Sequence, residues 1–187
     1  MVQGNRREHE RRTLRRCAVP ILYAHWEGFV KFAADCYLEL VWRQHLPYQK
    51  LNSNFLALAC RKVLREGAQS DRISAHISIV EFLVFNQGNA AKFHRVVSAE
   101  SNLNSDVFKN ILQEIGLACE PSFALKFPLI DGSLLKNRND IAHGDEVEVD
   151  DPTYTQLHDL VIDLLNLSAT SIENAAAQKS YLRPATL

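Results

Sequence analysis

Arg138-Asn139-Asp140-Ile141-Ala142-His143-Gly144 gathers an arginine, a histidine, an amide and a carboxylate within six positions. Histidine is the side chain whose unperturbed pKa lies nearest neutral pH, so His143 can both accept and donate a proton. Arginine stays charged and presents a planar fork that matches phosphate oxygens. Together they suffice to cleave a ribose phosphodiester by transesterification. In such a cleavage His143 could take the proton of the 2′-hydroxyl or protonate the leaving 5′-oxygen, and Arg138 could stabilise charge on the phosphorane-like transition state. This chemistry needs no metal or cofactor, and the sequence shows no carboxylate cluster for one.

Such a pair must be positioned. Asp131 and Ser133 are candidate caps for the helix that carries the motif, Gly144 occupies its C-terminal stop, and an acidic loop spans Asp145 to Asp151. Residues five apart on an ideal helix point about 140° away from each other. Arg138 and His143 therefore converge if the helix ends or distorts between them, or if the long arginine wraps round. A two-fold axis relaxes the constraint, placing two arginines and two histidines around one groove, one histidine as base and the other as acid. Spacing alone also admits a plainer reading, in which Arg138 and Asp140 lie on the surface and His143 belongs to a helix C-cap.

The remaining chain reads as helices. Over residues 19–44, Glu27, Lys31, Asp35, Glu39 and Arg43 form one charged stripe. Nearly everything else there is apolar, which predicts packing on several sides. Pro20 suits the first turn of that helix. Glu27 has two readings: an i,i+4 pair with Lys31, or support for Arg138. His25 and Trp26 read as packing residues. Residues 53–65 form a second helix, with Ser53 or Asn54 as its cap and Gly67 able to end it. Residues 71–86 fit a helix, though their β-branched content leaves a strand open. Residues 93–103 read as irregular or extended. Asn104 or Ser105 caps a helix with Val107, Phe108, Ile111, Leu112 and Ile115 on one face. Asp151-Pro152 starts a last helix that buries Leu157, Leu160, Val161, Leu164 and Leu165.

Residues 5–16 hold six arginines and two glutamates. They read as a solvated helix with i,i+4 charge pairs or as a basic arm in which Arg11, Arg12, Arg15 and Arg16 grip phosphates. The expected fold is all-α, an up-and-down helical bundle of five to seven helices. Its expected parts are an arginine-rich N-terminal helix or arm over 1–17, a helical domain over 18–176, and a flexible tail over 177–187.

Composition narrows the function classes. A net charge of −1 excludes a chain that binds nucleic acid by overall charge, so any basic surface is local. The four cysteines, Cys17, Cys36, Cys60 and Cys119, lack C-x-x-C or zinc spacing and suit a reducing compartment. No apolar run is long enough to span a bilayer, and the arginine-rich start does not resemble a secretory signal. A cytoplasmic protein without a membrane partner is expected.

The stretch Leu134 to Gly144 resembles the signature of the HEPN superfamily, in which an arginine precedes a polar residue and a histidine lies four to six positions on. Tyr23-Ala24-His25-Trp26-Glu27-Gly28-Phe29 is similar to the first long helix of one bacterial HEPN branch. So is Ser101-Asn102-Leu103-Asn104 with the helix after it. The resemblance covers roughly residues 18–172. It implies a HEPN-like bundle that dimerises with its motifs facing a shared cleft. The implied activity is that of a metal-independent endoribonuclease, often a toxin or anti-phage effector with an antitoxin or defence-system partner. By motif match it gives Arg138 and His143 the catalytic roles and Asn139 the polar position that orients the site or the RNA; Asp140 and Glu27 are further supporting candidates. Where some HEPN toxins carry a tyrosine that receives AMP, this chain has Asp145. The alternative it implies is a non-catalytic HEPN module that binds RNA or protein. A structural helical adaptor is the reading outside the family.

Overall fold

Helix dominates the computed structural model, which describes residues 2–92 and 102–184, with side chains from residue 7 onward. In chain order the elements are α1 (Val2–Trp42), a 3-10 turn (Tyr48–Lys50), α2 (Ser53–Ala68), α3 (Ile73–Phe85) and α4 (Ser105–Glu114). Two short turns come next, α5 (Pro121–Ala124) and α6 (Phe127–Leu129), then a π-helical stretch (Ile130–Leu135), α7 (Lys136–His143) and α8 (Asp151–Ala177). Among the described residues there is no strand, only isolated bridges joining Pro47 to Ala90 and Leu51 to Leu182. Among the described residues the fold is all-α, as expected, with six helices besides the short turns α5 and α6. The stretch 71–86 resolves as a helix. Of the expected irregular segment 93–103, residues 93–101 lie outside the described residues, and Asn102 and Leu103 carry no regular structure.

Two compact units divide the chain, the first made of Met1–Phe32, Ala99–Lys109 and Cys119–Thr170. Its core begins on α1, where Val19, Tyr23, Trp26 and Val30 recur at helical spacing and are buried. Trp26 meets Phe108 at 5.1 Å between ring centroids, and Phe108 meets Phe123 at 4.9 Å. Leu103, Ile130, Leu134, Leu157, Val161 and Leu164 complete the cluster. Burying each such side chain contributes about 1.5–3 kcal/mol. This explains a departure from expectation: Pro20 sits inside one continuous helix, not in its first turn. A proline inside a helix costs about 3 kcal/mol, because it removes a hydrogen bond and crowds the preceding turn. Buried anchors on both sides of it, Arg15 and Val19 before and Tyr23 after, offset that loss. The arginine-rich segment is thus part of the same helix as the core stripe of α1, not a separate arm. Trp26 packs as expected, whereas His25 is exposed because it points off the buried stripe.

The second unit comprises Ala33–Ser98, Asn110–Ala118 and Ser171–Leu187. Its core holds Ala34, Tyr37, Leu38 and Val41 of α1, Phe55 and Leu58 of α2, Ile111 and Ile115, and Tyr181. Gly67 lies inside the last turn of α2, one residue before its end. A Cβ there would meet the side-chain end of Ile79 on α3, which would have to turn aside. Of the tail expected to be flexible over 177–187, residues 185–187 lie outside the described residues, and residues 180–183 are bonded to the segment around Asn52. Asn52 N–H donates to the Tyr181 carbonyl at 2.9 Å, Asn52 Nδ2 donates to the Ser180 carbonyl at 2.7 Å, and Arg183 N–H donates to the Lys50 carbonyl at 2.9 Å. These bonds and the burial of Tyr181 hold residues 180–183 in place. The apolar surface of α1 is not fully covered either: Phe32 and Trp42 are exposed in their units, as are Ile73, Ile77, Val80 and Val84 on α3.

Candidate active site

The motif helix takes its direction from the π-helical stretch before it. Ile130 and Leu134 in that stretch are fully buried in the first unit, which fixes the direction in which α7 leaves. Asp131 does not cap this helix, as its position in the sequence suggests. Its carboxylate accepts bonds from Ser105 N–H at 2.8 Å and Ser105 Oγ at 2.5 Å, and so ties the stretch to the start of α4. Asn104 is the side chain that caps α4, accepting from Val107 N–H at 2.8 Å.

At its other end α7 closes in a Schellman motif. Gly144 adopts φ 89°, its N–H donates to the Ile141 carbonyl at 3.1 Å, and Asp145 N–H donates to the Asp140 carbonyl at 2.9 Å. His143 is therefore the last helical residue, and it is exposed. Asp140 contributes its carbonyl to the cap. Between Arg138 and His143 the helix is regular; the distortion lies upstream, over 130–135. Helical geometry thus leaves the two residues about 140° apart on α7.

Arg138 is held firmly. Its Nη1 donates to Asn139 Oδ1 at 2.8 Å and to Asn102 Oδ1 at 3.0 Å, and Asn102 Nδ2 donates to Asn139 Oδ1 at 3.3 Å. The guanidinium lies 4.9 Å from the centroid of the Tyr23 ring. The Tyr23 hydroxyl accepts from Leu103 N–H at 2.5 Å. Burial pushes the Tyr23 phenol up to about 12, against the hydrogen bond from Leu103, and the nearby Glu27 carboxylate pushes the same way as burial. Glu27 pairs with Lys31, as its spacing predicts, and lies beside Tyr23. Among the described residues no carboxylate stands within ion-pair distance of Arg138. Among the described residues, the groups that hold it are neutral.

Sequence reasoning overlooked Tyr23 and Asn102 as site residues. Both belong to segments singled out for other reasons, and their place in those segments was the one signal that could have found them. Their meeting with Arg138 across 115 and 36 positions is a tertiary event.

The N-terminal arginines serve the loop after the motif. Arg15 Nε donates to the Val149 carbonyl at 3.0 Å, and its Nη atoms pair with Asp151 at 2.5 Å and Glu8 at 3.1 Å. Arg12 pairs with Glu148 at 3.1 Å and Glu8 at 3.6 Å. Arg16 Nη2 donates to the Asp145 carbonyl at 2.8 Å, while its buried Nε has no partner among the described residues. Arg11 is exposed. Farther along, Asp150 accepts from Thr153 N–H at 2.9 Å at the start of α8. Hydrogen bonding from Thr153 holds the Asp150 carboxyl below its usual range. Among the described residues no group of three or more His, Cys, Asp or Glu could hold a metal ion, and no helix is long and apolar enough to cross a membrane.

The RiboL-PSP-HEPN family model matches residues 1–174. The chain belongs to the RiboL-PSP-HEPN family. Comparison with curated proteins and with solved structures found no match. Membership is compatible with a ribonuclease or an RNA-binding module. In this HEPN chain the family match spans both the Arg138–His143 motif and the α1 residues that hold Arg138.

Proposed function

We propose that this HEPN protein is a metal-independent endoribonuclease whose site is completed by a second copy. The observation that carries the reading is Arg138: a guanidinium fixed by two amide oxygens and a ring face, with its charge left for an anion. RNA phosphate is the anion that matches a planar fork beside an exposed histidine. The 2′-oxygen attacks phosphorus and the P–O5′ bond breaks, leaving a 2′,3′-cyclic phosphate and a free 5′-hydroxyl. One His143 takes the 2′-hydroxyl proton, and the His143 of the second copy protonates the 5′-oxygen. Arg138 stabilises the charge that builds on the non-bridging oxygens. The divergence of Arg138 and His143 along a regular α7 supports the two-copy arrangement, because one chain alone turns them apart. Asn139 orients Arg138, while Asp140 and Glu27 support the site at one remove.

Arg11 and Arg16 are the N-terminal arginines best left for RNA, since Arg12 and Arg15 are paired with carboxylates. In a cell the activity is that of a toxin or anti-phage effector held by an antitoxin or a defence-system partner. Incubating RNA with purified parent and His143→Ala protein, with and without a chelator, tests the reading. Cleavage by the parent that survives the chelator and falls about 10²–10⁴-fold in the variant is expected. Equal cleavage by both proteins, or loss on chelation with return on adding a divalent metal, overturns it. One observation favours a second reading: His143 is exposed, at the very end of its helix, and not packed into a pocket. That suits a HEPN module that binds RNA or protein without cutting, for which the parent shows binding alone.

A further inference from the structure

We infer that Tyr23 and Asn102 are positioning residues that aim the Arg138 fork without neutralising it; this rests on the ribonuclease reading above. An arginine side chain is long and rotamer-rich, and a phosphate-binding fork gains most when its plane is fixed in advance. Here the plane is fixed from two directions. The Tyr23 ring, buried in the core of the first unit, seats the guanidinium at 4.9 Å. The same residue's hydroxyl holds the Leu103 backbone at 2.5 Å, and so places the adjacent Asn102 with its Oδ1 3.0 Å from Arg138 Nη1. One buried tyrosine thus governs both contacts. Nη1 is occupied by two amide oxygens, and among the described residues no hydrogen bond takes up the Nε and Nη2 edge, the edge that would grip an anion bidentately.

The choice of neutral partners is the part that matters. A carboxylate at position 102 would accept the same hydrogen bond and cancel the charge. Asparagine accepts the bond and leaves the charge. A purely structural contact would be served as well or better by aspartate, since charge-assisted bonds are the stronger ones.

Five variants test this on RNA cleavage, each with thermal unfolding followed alongside: Tyr23→Leu, Tyr23→Phe, Asn102→Ala, Asn102→Asp and His143→Ala. Asn102→Asp is expected to fold as well as the parent and to cut about 10²-fold more slowly, a larger loss than Asn102→Ala at about tenfold. Tyr23→Leu, which loses both contacts, is expected to lower kcat more than about tenfold with KM changed less, and Tyr23→Phe, which keeps the ring face but releases Leu103 and with it Asn102, to fall about as far as Asn102→Ala. Asn102 is exposed, so its two variants carry the test even if Tyr23→Leu fails to fold. Asn102→Asp cutting as fast as Asn102→Ala or faster overturns the inference, provided His143→Ala is inactive. If His143→Ala keeps full activity, the ribonuclease reading falls and this inference falls with it.

Discussion

Arg15 and Arg138 are both fixed by several partners in the first unit, yet the partners differ in kind. Arg15 meets two carboxylates and a carbonyl, Asp151, Glu8 and Val149, and its charge is cancelled in place. Arg138 meets two amides and a ring face, and its charge is kept. The first arrangement stitches α1 to the loop ahead of α8. In the proposed reading, the second holds a cation ready for RNA phosphate. Two arginines in one chain are thus distinguished by the charge of what surrounds them, not by how tightly they are held.

Exchanging each arginine for alanine is the sharpest way to break that comparison. Arg138→Ala is expected to lower RNA cleavage about 10²–10³-fold with little change in melting temperature. Arg15→Ala is expected to lower the melting temperature by several degrees while cleavage per folded molecule stays within a few-fold. Calorimetry and a cleavage assay on both variants read the two axes together. Loss of cleavage in a fully folded Arg15→Ala, or a destabilised Arg138→Ala with full activity, would erase the distinction.

Gly144 joins the two regions, since α7 ends there and the loop gripped by Arg12, Arg15 and Arg16 begins. Its φ of 89° lies in the left-handed region. Gly144→Ala is expected to cost about 1–2 kcal/mol of stability, measured by denaturant unfolding. Cleavage should fall as well, because His143 is the residue before the turn.

The smallest effects lie in pH dependence, and the two regions should respond at opposite ends of the scale. Tyr23 titrates near 12 in the folded chain against 10.0 ordinarily, chiefly through burial. Its contribution to stability is complete below pH 10 and declines as pH rises towards 12. Tyr37 behaves alike, so Tyr23→Phe removes only part of that slope. Asp150 is held below its usual range by Thr153. Its contribution is present above the ordinary carboxylate pKa and is lost as pH falls through the folded value. Asp150→Asn should flatten the acid limb alone, and unfolding curves across pH separate the two.

Much of this was legible in the residues. The heptapeptide, the glycine stop at 144, the Asn104 cap and the Glu27–Lys31 pair are matters of local spacing, which one helix suffices to express. What escaped was set by contacts between distant segments. Propensity breaks a helix at Pro20, but buried anchors on either side carry α1 through it. Asp131 looked like a cap for its own helix, and its carboxylate reaches Ser105 instead, 26 positions away. Arg15 and Arg138 were both among the candidates for phosphate, because no local pattern records that Asp151 faces one and Asn102 the other. The docking of residues 180–183 on the segment around Lys50 and Asn52 was hidden for the same reason.

The claim on which the account depends most is that a second copy completes the Arg138 and His143 site. Co-expressing the parent with about tenfold excess of an Arg138→Ala/His143→Ala double variant, then assaying cleavage per parent chain in the purified mixture, tests it directly. A shared groove leaves about one parent chain in ten paired with another parent, so cleavage per parent chain should fall about tenfold. Cleavage per parent chain that does not change with the excess would mean each chain cuts alone, and would contradict the account.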